Sequence, residues 1–176
     1  LVYLPSLVML ASLAVVHTIE AVTGLKAQVK WPNDVLVNGR KVCGILIESE
    51  VLGDTVVYAI IGIGVNVNLR TSDFPEISQF ATSLSDELGG GISLLSLIRR
   101  LLVEVEGLYL TLLAGGSIYE EWRDNLVTLG RKVKVESGKI RCEGIAESVA
   151  RDGSLILRQA NGSLTKIVAG DVTLRD

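Results

Sequence analysis

Apolar residues recur near helical spacing at Leu7, Leu10, Ala14, Ile19 and Val22, which predicts a helix over residues 7–22. Pro5 and Ser6 suit its start and Gly24 its stop. The texture then changes to strands. Residues 25–31 read as one, and 35–50 read as a hairpin turning at Asn38-Gly39, because a type I′ turn needs positive φ at both central positions. Val42, Ile45, Leu46 and Ile47 mark the return strand. Residues 55–67 are apolar almost throughout, so we expect a central strand covered on both faces, with the hairpin at the sheet's edge. Residues 69–91 carry turn residues and little periodicity, which predicts a loop with a short helix near 83–88. Ser93 then caps a long helix. Its stripe of Leu94, Leu97, Ile98, Leu101, Leu102, Val105, Leu108, Tyr109 and Leu112 is expected to be core. Gly115-Gly116 stops it, and Ser117 with Glu120 forms a capping box for a further helix to about residue 127.

After Gly130 five short runs follow, at 132–136, 140–149, 154–159, 163–168 and 172–174. Ser137-Gly138, Asp152-Gly153, Asn161-Gly162 and Gly170-Asp171 separate them, a spacing that predicts a small barrel. A boundary is therefore expected near Thr128, with residues 1–128 forming an α/β unit and 129–176 a β module. Internal repeats and low-complexity segments are absent from the sequence.

Composition narrows the classes. A chain of 176 residues that is 48% hydrophobic and 21% charged can bury a core, which excludes intrinsic disorder. Seventeen Lys and Arg against 20 Asp and Glu give a net charge of −3, too little positive field for a nucleic-acid partner. Cys43 and Cys142 are too few for a disulfide scaffold and too far apart for a zinc site, so both read as reduced core thiols of a cytoplasmic protein. His17 is the single histidine, which removes multi-His metal sites; on an apolar helix it reads as a packed or edge residue. Mean hydropathy is high, at +0.44. The longest apolar stretches, 7–16 and 56–65, fall short of the ~20 residues that span a bilayer, so no membrane partner is expected. No basic segment precedes Leu7, as a signal peptide would require. The sequence opens on Leu1 rather than Met and enters a helical pattern almost at once, so we expect an upstream segment to have been removed.

Two segments could carry chemistry. Lys30-Trp31-Pro32-Asn33-Asp34 falls between two strands. Proline cannot donate to a ladder, so the segment leaves the sheet and holds a lysine and an aspartate at its end, where open α/β sheets bind ligands. A plain strand connection with Trp31 filling the core fits the same residues. Gly62-Ile63-Gly64-Val65-Asn66-Val67-Asn68 ends the apolar strand like a phosphate-binding glycine loop. Asn66 or Asn68 stands near the third glycine's place, however, and no clear helix follows, so the dinucleotide fingerprint is not met. Small residues permit close approach of a ligand, and asparagine can bond a phosphate or a metal-bound water. A glycine-softened strand is the alternative. Arg40-Lys41 by itself reads as a solvated turn.

Together these segments carry a resemblance. The run KWPNDVLVNGRKVCGILIESE at residues 30–50, then GIGVNVN at 62–68 and ATSL at 81–84, resembles biotin–protein ligase. GRKVKVESGKIRCEGIAE at 130–147 and GDVTLR at 170–175 resemble that family's small C-terminal module. The resemblance implies an α+β fold: a mixed β-sheet with helices on one face, as in the class II synthetase-like biotin/lipoate ligases, followed by an SH3-like β-barrel. It implies activation of biotin with ATP and Mg²⁺ to biotinoyl-5′-AMP, then transfer to a lysine of a biotin carboxyl carrier protein or carboxylase carrier domain.

It also implies roles. Lys30 would neutralise the biotin carboxylate and the α-phosphate as they join, and Lys41 would stabilise phosphate charge. Asp34 would hold Mg²⁺ or orient the incoming lysine. Asn66 would contact the phosphate or its metal. Trp31, Asn33, Gly44, Ile45, Gly62 and Gly64 would complete the binding surface. Such assignments suit the chemistry, since a carboxylate attacking a triphosphate is anion on anion and needs charge neutralisation and alignment. The attacking amine, with a free pKa near ~10.4, must also lose a proton, and a carboxylate can assist. The family's Gly/Arg-rich loop of the form GRGRRGR and its Ser-Thr-Asn segment, both expected ahead of the first helix, do not occur in these 176 residues. We therefore expect a truncated form, inactive by itself, with an open sheet edge that favours a homodimer. A repressor role is not expected. The alternative is a non-catalytic relative serving as a scaffold or interaction module.

Overall fold

The computed structural model describes residues 4–53, 55–137 and 140–175. Helix α1 (Leu4–Thr23) leads into four strands, β1 (Ala27–Lys30), β2 (Asp34–Val37), β3 (Arg40–Leu52) and β4 (Thr55–Val65). A 3-10 turn at Thr71–Asp73 precedes α2 (Leu84–Leu88), α3 (Leu94–Leu113) and α4 (Tyr119–Asp124). Five strands close the chain: β5 (Lys132–Ser137), β6 (Ile140–Val149), β7 (Leu155–Arg158), β8 (Leu164–Ile167) and β9 (Asp171–Arg175).

Helix α1 is apolar on nearly every side, and Met9 through Val16 are all buried. Such a helix belongs inside. It packs across all four strands of the first sheet and is covered by α3 and α4. Its buried hydroxyls are satisfied locally: Ser12 donates to the Val8 carbonyl at 2.8 Å and Thr18 to that of Ala14 at 2.6 Å. The helix is longer than the apolar stretch 7–16 implied. By length and composition alone its 20 residues could cross a membrane, yet 61% of that window is buried inside the fold.

The first sheet has the order β1-β2-β3-β4, antiparallel throughout. Among the described residues, parallel pairing enters only as isolated bridges, Val29 with Leu126 and Lys41 with Ala81. Two sequence expectations are reversed. The Asn38-Gly39 hairpin lies in the middle of the sheet, and β4 is the edge. Val56, Val57, Tyr58 and Ile60 on β4 are exposed rather than covered. The physical reason is length. β1 and β2 have four residues each, so the distal halves of the 13-residue β3 and 11-residue β4 extend beyond them as a two-stranded ribbon.

Helix α3 also departs from expectation. Only Leu97 of its apolar stripe is fully buried; Leu101, Val105, Leu108 and Leu112 pack partly against the core. Leu94, Ile98, Leu102 and Tyr109 remain exposed, so the stripe is core along one side only. Helix α4 ends at Asp124 because the chain turns there to pair with the free side of β1: Val29 N–H donates to Asn125 and Val127 N–H to Val29, both at 2.9 Å. The expected capping box is displaced. The cap position is Ile118, and Ser117 instead accepts from the Tyr119 amide and donates to the Glu120 carboxylate.

The second sheet runs β8-β7-β6-β5-β9, all antiparallel. All five expected strands are present; among the described residues no ladder joins β8 to β9. The turn expected at Ser137-Gly138 falls partly outside the described residues. Gly144 sits where β6 meets β7, and a Cβ there would overlap the Arg158 carbonyl. The two sheets share a contiguous core. Trp31 joins them: its indole N–H donates to the Gly153 carbonyl at 2.8 Å, and its backbone N–H to the Thr128 hydroxyl at 2.9 Å.

Candidate active site

Strand register builds the site. Lys30 pairs with Asp34, Asp34 with Gly44, and Gly44 with Gly64, so these four residues form one row across the whole sheet. Directly opposed residues share a face, here the one turned away from α1. The same row therefore offers two charges at one end and bare backbone at the other.

Lys41 joins this face through a bulge. Val35 pairs with Cys43 but Leu36 pairs with Lys41, leaving Val42 as the extra residue. Val42 and Cys43 are both buried. Strict alternation would put Lys41 and Gly44 on opposite faces; the extra residue puts them on the same one. The Lys41 side chain lies over Gly44, its Cε and Nζ 3.2 Å from where a Cβ would stand. Its ammonium is 2.5 Å from Asp34 Oδ1, and the Lys30 ammonium is 3.8 Å from Asp34 Oδ2. Two cations thus hold one anion, which leaves a net positive cluster. It opens into a cleft of about 460 Å³ lined by Lys30, Asp34, Leu36, Gly39, Lys41, Phe80, Thr173 and Leu174. The last two come from β9, so the second sheet supplies a wall. Beneath the cluster, burial pushes the Cys43 thiol up to about 12; Lys41 opposes this and Asp34 adds to it.

The ATSL segment braces the site from beside β3. Lys41 N–H donates to the Phe80 carbonyl, and Thr82 N–H donates to the Lys41 carbonyl, both at 2.8 Å. The Asn66 amide nitrogen reaches the Thr82 carbonyl at 3.1 Å. Glu87 underlies this arrangement. Its carboxylate accepts from Asn38, Arg40 and Thr82, each at 2.6 Å. Burial would raise its pKa, but the bonds from Thr82 and Asn38 and the charge of Arg40 bring it below the ordinary carboxylate value. Arg40 is accordingly paired with Glu87 rather than being a simple solvated turn residue.

The structure brings Lys30, Asp34 and Lys41 together with Gly44 and Gly64 in line. It separates five other candidates from that cluster. The Trp31 side chain is buried in the core, 1% exposed, and holds the second sheet rather than facing the cleft. Ile45 points to the opposite face, paired with Ile63, because it follows Gly44 in the strand. Asn33 is engaged with Ile45: its side chain donates to the Ile45 carbonyl at 2.6 Å, and its own carbonyl accepts from the Ile45 amide. Asn66 does not line the cleft; it reaches Lys41 only through Thr82. Gly62 lies one row beyond Gly64, opposite Leu46. His17 is an edge residue, contacting Glu104 at 3.1 Å and Glu121 at 2.6 Å. Sequence reasoning missed Phe80, Glu87, Thr173 and Leu174 as parts of the site. Thr173 and Leu174 lie inside the GDVTLR run, a usable signal; Glu87 had none.

Residues 2–66 match the biotin/lipoate A/B protein ligase family, and residues 128–175 match the biotin protein ligase C-terminal domain. The chain is 36% identical over 173 residues to the bifunctional ligase/repressor BirA of Bacillus spizizenii, covering 97% of this chain and 53% of that protein. It is 32% identical over 160 residues to the biotin–[acetyl-CoA-carboxylase] ligase of Paracoccus denitrificans, covering 86% and 66%. The fold superposes on the biotin protein ligase of Aquifex aeolicus with a TM-score of 0.81 at 26% identity, covering 96% of this chain and 73% of that one. A structure of that ligase in complex with biotin and ATP gives a TM-score of 0.78, covering 96% and 70%. The chain thus spans about half the length of the Bacillus relative; its residues 2–66 belong to the biotin/lipoate A/B protein ligase family and its residues 128–175 to the biotin protein ligase C-terminal domain.

Proposed function

We propose that this chain carries the lysine-bearing half of a biotin–protein ligase site, for ATP-dependent conversion of biotin to biotinoyl-5′-AMP and transfer to a lysine of a biotin carrier domain. One observation carries the reading: Lys30 and Lys41 flank Asp34 over the glycine-lined row Gly44–Gly64. An incoming carboxylate and phosphate would replace Asp34 as the partner of both ammonium groups. The exchange keeps both ammonium groups paired while the two anions are brought together. The bare backbone at Gly44 and Gly64 lets the reacting atoms lie close to the sheet. Asp34, once released, could take the proton of the incoming lysine amine.

Among the described residues no group of three or more His, Cys, Asp or Glu could cage a metal ion. The donors suit instead a Mg²⁺ ion that enters on the triphosphate, with Asp34 as its single carboxylate ligand. Such an ion would offset phosphate charge. The two units are proposed to divide near Thr128, and the unpaired edge of β4 is proposed as the contact of a homodimer.

The test is biotin-dependent exchange of pyrophosphate with ATP, measured in a protein of the relatives' full length that carries these residues. Lys30→Ala and Lys41→Ala should each depress it strongly. Exchange that is unchanged in both variants would overturn this reading and favour a non-catalytic scaffold.

A further inference from the structure

We propose that Glu87 is a positioning residue for Lys41, an inference that rests on the nucleotide reading of the Lys30–Lys41 cleft. Glu87 makes no contact with the cluster. Its carboxylate is 5% exposed, yet three donors converge on it from three segments. Asn38 belongs to the hairpin turn, Arg40 precedes Lys41 on β3, and Thr82 lies on the segment paired with Lys41.

The geometry gives this convergence a purpose. Among the described residues, the Lys41 backbone is held on its outer side only by the Phe80 carbonyl and the Thr82 amide. That outer segment belongs to no ladder; it meets β3 at a single bridge. Lys41 also stands at the bulge, where the ladder with β2 is irregular. Arg40 stays paired with Val37 and the Val42 carbonyl accepts from the Asn66 amide at 2.8 Å, so the weak place is confined to Lys41 and the segment beside it. A buried carboxylate that binds the turn, the preceding residue and Thr82 supplies what the ladder lacks. Charge-assisted bonds of this kind are short and directional. Without them, β3 and the ATSL segment would separate at Lys41, and its ammonium would sample many positions rather than stay above Gly44.

The experiment uses the chain as it stands. Glu87→Gln keeps the shape but removes the charge and one acceptor oxygen; Arg40→Met removes one donor and leaves Glu87 in place. Amide hydrogen exchange is followed at Lys41 and Thr82, with Ala146 in the second sheet as reference. MgATP affinity is measured by calorimetry in the wild type, in each variant, and in each variant combined with Lys41→Ala. Positioning predicts exchange roughly tenfold faster or more at Lys41 and Thr82, the scale of one lost bond to a charged group, with Ala146 unchanged. It also predicts MgATP binding weakened roughly tenfold in the Lys41 background and little further effect once Lys41 is alanine. A general structural role would weaken binding equally in both backgrounds, which would overturn the proposal. So would unchanged exchange at Lys41 and Thr82. Faster exchange at those amides with MgATP affinity the same in the wild type and every variant would support the bracing of Lys41 while overturning its role toward the nucleotide.

Discussion

At the scale of single residues, Lys30 and Lys41 are not equivalent. Lys30 is 24% exposed and 3.8 Å from Asp34; Lys41 is 45% exposed and in direct contact with it. Lys30 reaches Asp34 only at 3.8 Å, and Asp34 keeps its Lys41 partner when Lys30 is removed, so Lys30 adds little to holding the fold together. Lys30→Ala in a protein of the relatives' length should leave the melting temperature nearly unchanged. It should slow adenylate formation by about ten- to a hundred-fold, the loss of a charge-assisted contact worth about 1.5–3 kcal/mol, read by pyrophosphate exchange. A second residue tests the burial of the site. The Cys43 thiol, raised to about 12 by burial, stays protonated near neutrality. Iodoacetamide at pH 8 should therefore leave Cys43 unmodified in the folded chain and label it after denaturation, as peptide mass spectrometry would show. Asp152 provides a pH test. The Lys166 ammonium, 2.6 Å away, and the Ser154 amide and hydroxyl lower its pKa to about 2. Because the folded value lies below the unfolded ~3.9, its contribution is present above about pH 4 and is lost as pH falls toward 2. Thermal melts at pH 6 and pH 2.5 should differ less for Asp152→Asn than for the wild type.

At the scale of elements, glycine chemistry and ladder geometry set what can change. Asn38 and Gly39 have φ of 50° and 78°, the left-handed pair that the hairpin turn requires. Gly39→Ala strains that turn and should cost about 1 kcal/mol in chemical denaturation. Gly144→Ala should cost more, about 3 kcal/mol, because its Cβ meets the Arg158 main chain and neither strand can yield cheaply. Readability from sequence followed the same divide. Turn residues have a local cause, so Asn38-Gly39 and the punctuation between β5 and β9 located their elements well. Burial has a non-local cause, so it was misread. The apolar runs of β4 and α3 fit a covered strand and a core helix, yet their exposure depends on which elements lie beside them. The bulge at Val42 was likewise invisible, because an extra residue leaves no mark in a strand's composition. Without it, Lys41 could not have been placed over Gly44 from spacing alone. Glu87 lies 46 positions after Lys41 in the chain and meets it only through the fold.

At the scale of the whole molecule, apolar surface and an open edge point to association. β4 presents unpaired backbone along its outer side, with Val57, Tyr58 and Ile60 exposed on it. Unpaired strands of this kind bind other strands. Light scattering at high concentration should show a dimer or larger assembly, and Ile60→Lys on β4 should shift it toward monomer. A clean wild-type monomer would count against the edge as an interface. The last expectation concerns chemistry by these 176 residues alone. Two lysines and one carboxylate line a cleft that is open to solvent, with walls from Phe80, Thr173 and Leu174. The resemblance to biotin–protein ligase implies a Gly/Arg-rich loop folded over the adenylate, and no such run occurs in the sequence. Lys30 and Lys41 cannot replace its backbone donors on the far side of an α-phosphate, since both approach from the sheet. Nor can an open cleft exclude water, so an acyl-adenylate formed there would hydrolyse or diffuse away. The chain mixed with biotin, MgATP and a carrier domain should therefore give little or no biotinylated carrier on an avidin blot. Robust labelling would show that residues within this chain close the site, and Phe80 and Thr173, which flank the cluster, would be the first to substitute.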